Sequence, residues 1–359
     1  MKKIKVVILF GGKSAEHEVS VNSAKNIYTA IDKNKYEVSV IGIDKKGQWH
    51  LSSGEQLMRL TSSFTNSPEN SEVSFITKTS SNYLIETHTQ NDLGSIDVIF
   101  PILHGPYGED GSLQGFLKLL NVPFVGSGVL GSAVGMDKDI SKRLLRDAGL
   151  PVGKFLAFTD KKQIHFEIVT KKLGLPLFIK PANLGSSIGV SKVKNEKEFQ
   201  KAIETAFSYD TKILIEEFIS GVEVECSVMG NENPAASIPG EITATHDFYS
   251  YEAKYLDENG AILKIPANLD PEKIHEVQKL AIKTFQTLCL EGMARVDFFY
   301  TPNKKFYINE VNTIPGFTNI SMYPKLWKES GISNTELIDR LITLALEKYK
   351  KEKELLTSL

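Results

Sequence analysis

Hydrophobic positions along the chain switch between two periods, and the switches mark out its elements. Lys5 to Phe10 is a short apolar run bounded by Gly11-Gly12, which reads as a buried strand. From about Ser20 to Ile31 the apolar positions recur at helical spacing, and Tyr36 to Ile43 alternates like a strand. This β–turn–α–β opening predicts a parallel sheet. Residues 51–92 are rich in Ser, Thr and Asn with weak periodicity, which predicts a surface excursion of loops and short hairpins without chemistry. A buried strand returns at Ile96 to Leu103, then a helix at Gly111 to Leu120 and a strand at Val122 to Val125. Four glycines between Gly126 and Gly135 predict a hinge or domain boundary, and Asp137 to Ala148 reads as a helix closed by Gly149 and Pro151.

Beyond that point the texture changes. Leu177 to Lys180 predicts a strand, Ala182 to Gly189 a Gly/Ser-rich loop, and Gly189 to Val193 a second strand. A helix follows at Lys197 to Phe207, then a strand at Lys212 to Phe218 that ends near two acids. Val222 to Met229 alternates polar and apolar residues. A helix at about Pro271 to Leu290 precedes paired strands at Gly292 to Tyr300 and Lys305 to Val311, and a last amphipathic helix covers Thr335 to Lys351. Three α/β modules are expected, over residues 1–135, 136–220 and 221–359, the last two sharing a cleft.

Composition narrows the function classes. The 359 residues carry 42 Lys+Arg against 44 Asp+Glu, a formal charge of −2, which lacks the basic excess of a phosphate-neutralising nucleic-acid binder. No run approaches the ~20 apolar residues of a membrane helix. The basic-then-apolar start has too short an apolar core for a secretory signal. Cys226 and Cys289 form no CxxC pattern, which suits a reducing cytoplasm rather than a disulfide framework or zinc site.

Several stretches carry candidate chemistry. Phe10 to Glu18 puts glycines, Glu16, His17 and Glu18 just past a strand end. It matches neither GxGxxG nor GxxxxGK[ST], and its acids suit an ammonium ligand, although they equally suit a solvated helix start. His104-Gly105 with Gly108-Glu109-Asp110-Gly111 lies at the carboxyl end of a strand, where ligands collect in α/β sheets. Lys180 followed by Gly185-Ser186-Ser187 offers a cation, amides and hydroxyls to phosphate oxygens. Glu216 to Glu223 has the backbone, apolar and acidic groups to hold a heterocycle and a ribose, a weak pattern on its own. Tyr249 to Tyr255 suits a water-excluding lid, or tyrosines at a core edge. Arg295 and Asp297 share one strand face, as do Glu310 and Asn312 on the next strand; these oxygens suit a hard cation such as Mg²⁺, against the alternative of a solvated acidic face.

In this order, these pieces resemble the ATP-grasp superfamily, and within it the D-alanine–D-alanine ligases. The residues that carry the likeness are Gly11 to Ser20, Leu103-His104-Gly105 with Gly108 to Gly115, Lys180-Pro181 with Gly185 to Ser187, Tyr251 to Tyr255, Arg295-Val296-Asp297 and Asn309 to Thr318. The resemblance implies an N-terminal parallel-sheet domain with residues 51–92 as a surface insertion, and two α+β domains enclosing ATP. It implies that ATP phosphorylates one D-alanine and that the amine of a second attacks the acylphosphate, giving a dipeptide for peptidoglycan. By position it assigns Glu16 to the first ammonium, with His104 orienting that substrate, and Arg295 and the Gly316 amide to the oxyanion. Ser321 and Met322 would receive the second D-alanine; the family often has leucine where Met322 stands. Ser186 and Tyr255 would link to Glu16 and order the lid, and tyrosine at 255 goes with D-alanine as acceptor. Lys138, Lys180 and Lys254 would meet phosphates, and Glu216, Ile219 and Glu223 adenine and ribose. Asp297, Glu310 and Asn312 would hold two Mg²⁺ or Mn²⁺. A cytoplasmic homodimer without nucleic-acid or membrane partners completes the expectation. The rivals are ligation to D-lactate or D-serine and a non-catalytic nucleotide sensor.

Overall fold

The computed structural model of the chain describes residues 2–64, 71–78, 81–89, 92–244 and 261–356. Among them the strands form three sheets. The first contains β1 (Ile4–Gly11), β2 (Tyr36–Ile43), β3 (Trp49–Ser52), β4 (Ser71–Lys78), β5 (Ser81–Glu86), β6 (Asp92–Ser95) and β7 (Val98–Pro101), in the order β6-β5-β4-β3-β2-β1-β7. Its centre is parallel, β2 and β7 flanking β1. Residues of the 51–92 excursion extend it with antiparallel pairing through β3, β4, β5 and β6. Val6 to Phe10 are buried on both faces, as an apolar run in a covered parallel sheet must be. Val122 to Val125, expected as a strand, makes only an isolated bridge from Phe124 to Ile99, because Pro123 removes a ladder donor.

Helix Val129–Met136 occupies most of the stretch expected as a hinge or domain boundary. The glycines serve packing there: a Cβ on Gly131 would lie 2.5 Å from the Cys289 carbonyl oxygen, and one on Gly135 2.5 Å from Thr313 Cγ2. A helix surface without side chains lets two segments approach closely, at a cost in helix propensity of about 1 kcal/mol per glycine.

The second sheet joins β8 (Phe155–Phe158), β9 (Leu177–Pro181), β10 (Ser191–Val193) and β11 (Ile213–Glu217) in the order β10-β9-β11-β8, all antiparallel. The third runs β15-β14-β12-β16-β17, with β12 (Val222–Gly230), β13 (Ala235–Ala236) paired to it, β14 (Gly240–Ala244), β15 (Ala261–Lys264), β16 (Gly292–Tyr300) and β17 (Phe306–Asn312). Helix Pro271–Thr287 covers one face of this sheet through Val277, Ala281 and Phe285. The last helix, Asn334–Lys353, packs Leu337, Ile338, Leu341 and Ile342 into the same apolar cluster as Val6, Ile8 and Phe10 of β1, so the chain end closes back on its beginning. No helix among the described residues is long and apolar enough to cross a membrane.

Candidate active site

Alternation along β12 and β16 separates core from site. Val224, Cys226 and Val228, with Ala294, Val296 and Phe298, are buried on the helix-covered face. Their neighbours Glu223, Glu225, Ser227, Arg295 and Asp297 therefore share the other. Register sets Glu225 opposite Asp297 and Asp297 opposite Glu310, with Arg295 between Ser227 and Asn312. On β17 a bulge makes this possible. Asp297 pairs with Glu310 but Phe298 pairs with Ile308, leaving Asn309 extra. Phe306 and Ile308 before the bulge and Val311 after it all enter the core, so Glu310 and Asn312 turn to the site face.

Arg295 grips Asp297 twice, Nε to Oδ1 and Nη2 to Oδ2 both at 2.7 Å, and its Nε lies 2.9 Å from Glu225 Oε2. Asn312 Nδ2 donates to Asp297 Oδ2 at 2.9 Å. Glu310 lies 3.4 Å from Lys138 Nζ, which also donates to the Leu184 carbonyl at 2.6 Å. Two carboxylates and an amide on adjacent strands are hard oxygen donors that fit Mg²⁺ or Mn²⁺. Arg295 and Lys138 now neutralise those carboxylates, and among the described residues no cluster of three His, Cys, Asp or Glu side chains is disposed to hold a metal.

A cavity of about 400 Å³ is lined by Lys180, Glu216, Glu223 and Glu310 of the second and third sheets, with Lys138 from the start of helix Lys138–Asp147 and Ile219 from the segment between β11 and β12. At its wall Glu216 lies 2.8 Å from Lys180 Nζ and 3.2 Å from Lys142 Nζ, all three buried. Burial alone would raise the Glu216 carboxyl, but the two ammonium groups hold it below its ordinary range. Burial pulls Lys142 down, and Lys180 adds to that pull while Glu216 opposes it. Two cations against one anion leave this wall suited to polyphosphate. Glu216→Ala is expected to cost about 3–5 kcal/mol of stability by leaving buried ammonium groups uncompensated. Denaturant unfolding measures it, and an unchanged midpoint would show that the lysines are not held by this carboxylate.

A second cavity of about 70 Å³ is lined by Glu16, His104, Ser186, Arg295, Asn312, Gly316, Ser321 and Met322, and Glu310 lines both cavities. The two acids after the first strand divide between the two readings of that stretch. Glu16 is 6% exposed and hydrogen-bonded by the Ser186 hydroxyl, whereas Glu18 sits at the helix start with Lys45 at 2.7 Å and Ser63 at 2.6 Å. Lys45 and Ser63 bring the Glu18 carboxyl down to about 2 against the opposing effect of burial.

His104 Nδ1 lies 2.9 Å from the Ile314 carbonyl oxygen, an acceptor only, so Nδ1 carries the proton and donates. Ser23 Oγ is 3.3 Å from Nε2 and accepts the Phe317 N–H at 3.0 Å. Burial, with a smaller push from Arg295, lowers the imidazole to about 4 despite the Ile314 bond, so His104 is neutral at pH 7. A folded-state value below the ordinary 6.5 means stability present above pH 6.5 and lost as pH falls through 4. His104→Gln, whose amide can still donate to Ile314, is expected to lose roughly 3 kcal/mol less over that window. Unfolding free energies at both pH values test this, and parallel curves would contradict it.

The loop after β17 is tied to the first sheet's domain at several points. Glu109 accepts the Gly105 and Ile314 N–H groups, both at 2.8 Å, and burial together with Glu16 pushes its carboxyl up to about 7. Asn26 Nδ2 donates to the Phe317 carbonyl at 2.7 Å. A Cβ on Gly316 would lie 2.7 Å from Ser321 Oγ, which itself accepts the Thr318 N–H at 2.9 Å, so only glycine fits between that hydroxyl and the loop. Lys254 and Tyr255, with the rest of the aromatic stretch, lie outside the described residues. Glu225, Lys142 and Ser23 were not singled out from sequence, and Glu109 only as one acid of the stretch after His104. The first two left a signal: Glu225 in the β12 alternation, and Lys142 one helical turn after Lys138.

Two family models match the chain: one described as D-ala D-ala ligase N-terminus over residues 5–127, and one as D-ala D-ala ligase C-terminus over residues 144–343. The chain is 54% identical to a D-alanine–D-alanine ligase of Oceanobacillus iheyensis, over 100% of this chain and 99% of that one. Its structure resembles the D-alanine-D-alanine ligase from Coxiella burnetii, with a TM-score of 0.85 and 38% identity over 98% of each chain. It also resembles the VanG D-Ala:D-Ser ligase from Enterococcus faecalis, with a TM-score of 0.86 and 36% identity over 96% of this chain and 100% of that one. Both halves of the sequence match, and the chain belongs to the D-alanine–D-alanine ligase family.

Proposed function

We propose that this protein is an ATP-dependent ligase that joins two D-alanine molecules into D-alanyl-D-alanine for peptidoglycan, releasing ADP and phosphate. The observation that carries the chemistry is that Glu310 lines both the large, lysine-walled cavity and the small one. A nucleotide in the first then has its terminal phosphate beside an amino acid in the second. Lys138, Lys180 and Lys254 take the phosphates, and Glu216, Ile219 and Glu223 the adenine and ribose. Glu16 holds the ammonium of the first D-alanine, with His104 orienting it as a neutral ring and Ser186 and Tyr255 ordering Glu16.

The first carboxylate attacks the γ-phosphorus and ADP leaves, which turns a carboxylate oxygen into a phosphate leaving group. The free amine of the second D-alanine, received at Ser321 and Met322, attacks that carbonyl, and phosphate departs as the amide forms. Arg295 and the Gly316 amide lower the barrier by meeting the oxyanion that exists only along this path. Asp297, Glu310 and Asn312 would hold two Mg²⁺ (or Mn²⁺), which when bound offset repulsion between carboxylate and triphosphate.

Phosphate release from ATP, with D-alanine, D-lactate or D-serine as acceptor, tests the proposal. D-alanine-dependent release with D-alanyl-D-alanine as the main product is expected. No D-alanine-dependent turnover would sink it, and preference for D-serine would move the chain to the second reading that the likeness to the D-Ala:D-Ser ligase raises. The proposal extends to a cytoplasmic homodimer, as the family resemblance implies, with no nucleic-acid or membrane partner.

A further inference from the structure

We infer that Glu225 is a positioning residue that keeps the Arg295 guanidinium in place when Asp297 turns from it to a divalent cation. This rests on the proposed metal role of Asp297, Glu310 and Asn312. In the structure Asp297 cannot serve Arg295 and a cation equally, because both its oxygens already accept from the guanidinium and Oδ2 also accepts from Asn312. A dication at these oxygens would attract Asp297 and repel Arg295, and an arginine without an anionic partner would swing away from the place where an oxyanion must be met.

Sheet order provides the remedy. β16 carries Arg295 and Asp297 between two neighbours: β17 on one side brings Glu310 and Asn312, and β12 on the other brings Glu225. Cation binding therefore draws Asp297 toward β17 and leaves Arg295 with β12. Glu225 is already in position, with Oε2 2.9 Å from Arg295 Nε while the Nε–H is directed at Asp297 Oδ1. Release of Asp297 needs only a small turn of the guanidinium to redirect that N–H. Glu225 is 5% exposed, so its charge acts with little screening by solvent. A carboxylate in this nearly closed position is costly unless a cation holds it, and the proposed oxyanion ligand Arg295 lies beside it.

Mn²⁺ binding in the presence of ADP, followed by electron paramagnetic resonance, tests the idea without turnover. Glu225→Gln is expected to weaken Mn²⁺ about tenfold, as loss of a residue supporting a metal ligand does, because Arg295 then competes harder for Asp297. ADP affinity without metal should stay within about twofold. In an Arg295→Met background the same substitution should change Mn²⁺ affinity less than about twofold, since no guanidinium is left to divert. Equal weakening in both backgrounds would overturn the inference, as would no weakening in the first. Wild-type protein that binds no Mn²⁺ would overturn the metal assignment as well, and so separates the two failures. A structure with Mg²⁺ and ADP needs no variant: Arg295 should stay on Glu225 and leave Asp297, and a retained bidentate grip on Asp297 would refute the exchange.

Discussion

Arg295→Ala is expected to lower turnover by about 10²–10³-fold while leaving nucleotide affinity within about threefold. The large cavity takes its polar wall from Lys138, Lys142, Lys180 and Glu216 and does not include Arg295, whereas the small cavity does. A group that meets charge only in the tetrahedral intermediate affects the barrier and not the bound ground state. The variant also leaves Glu225 and Asp297, 7% and 13% exposed in their side chains, without their shared cation. Arg295→Lys is therefore the companion: it keeps the charge but loses the two-pronged geometry, and should recover stability more fully than turnover. Equal losses in turnover and nucleotide affinity would show that Arg295 belongs to nucleotide binding.

Much of the site was legible because strands encode faces at a fixed period. Arg295 with Asp297, and Glu310 with Asn312, could be paired on sight, and the structure adds the register that brings the two pairs together. The bulge at Asn309 left a trace in the apolar spacing of Phe306, Ile308 and Val311, two residues and then three, which no unbroken strand would bury on one side. Glu225 was harder to recognise. The alternation of β12 says only that it faces away from the core, and its worth comes from lying across from Asp297, seventy-two positions later in the chain. The packing role of Gly131 and Gly135 was hidden for a related reason: the contacts that demand a missing Cβ come from Cys289 and Thr313, which no local pattern reveals. Ser23 was likewise hidden, and so was the particular task of Glu109 within its acidic turn, since each bonds the Ile314–Phe317 loop about 200 or more positions away.

Glu16→Gln is expected to raise the D-alanine concentration needed at the first site by about 10²–10³-fold, with ATP affinity unchanged. Removing one partner of a buried ion pair costs roughly 2–5 kcal/mol, which spans that range. The substitution separates a binding role from a structural one because the two predict opposite effects on the free protein. Glu16 is buried, and its charge helps push Glu109 up to about 7. Two acids crowded together are unfavourable, so neutralising Glu16 should relieve Glu109 and leave the ligand-free protein at least as stable. The Ser186 hydroxyl can still donate to the amide oxygen of glutamine. A carboxylate kept at some expense to the fold is what a cation-recognising pocket demands. Thermal unfolding and D-alanine dependence measured on the same sample decide it. A lower melting temperature with unchanged D-alanine dependence would make Glu16 a prop for the Ser186 loop, and the first ammonium would need another partner.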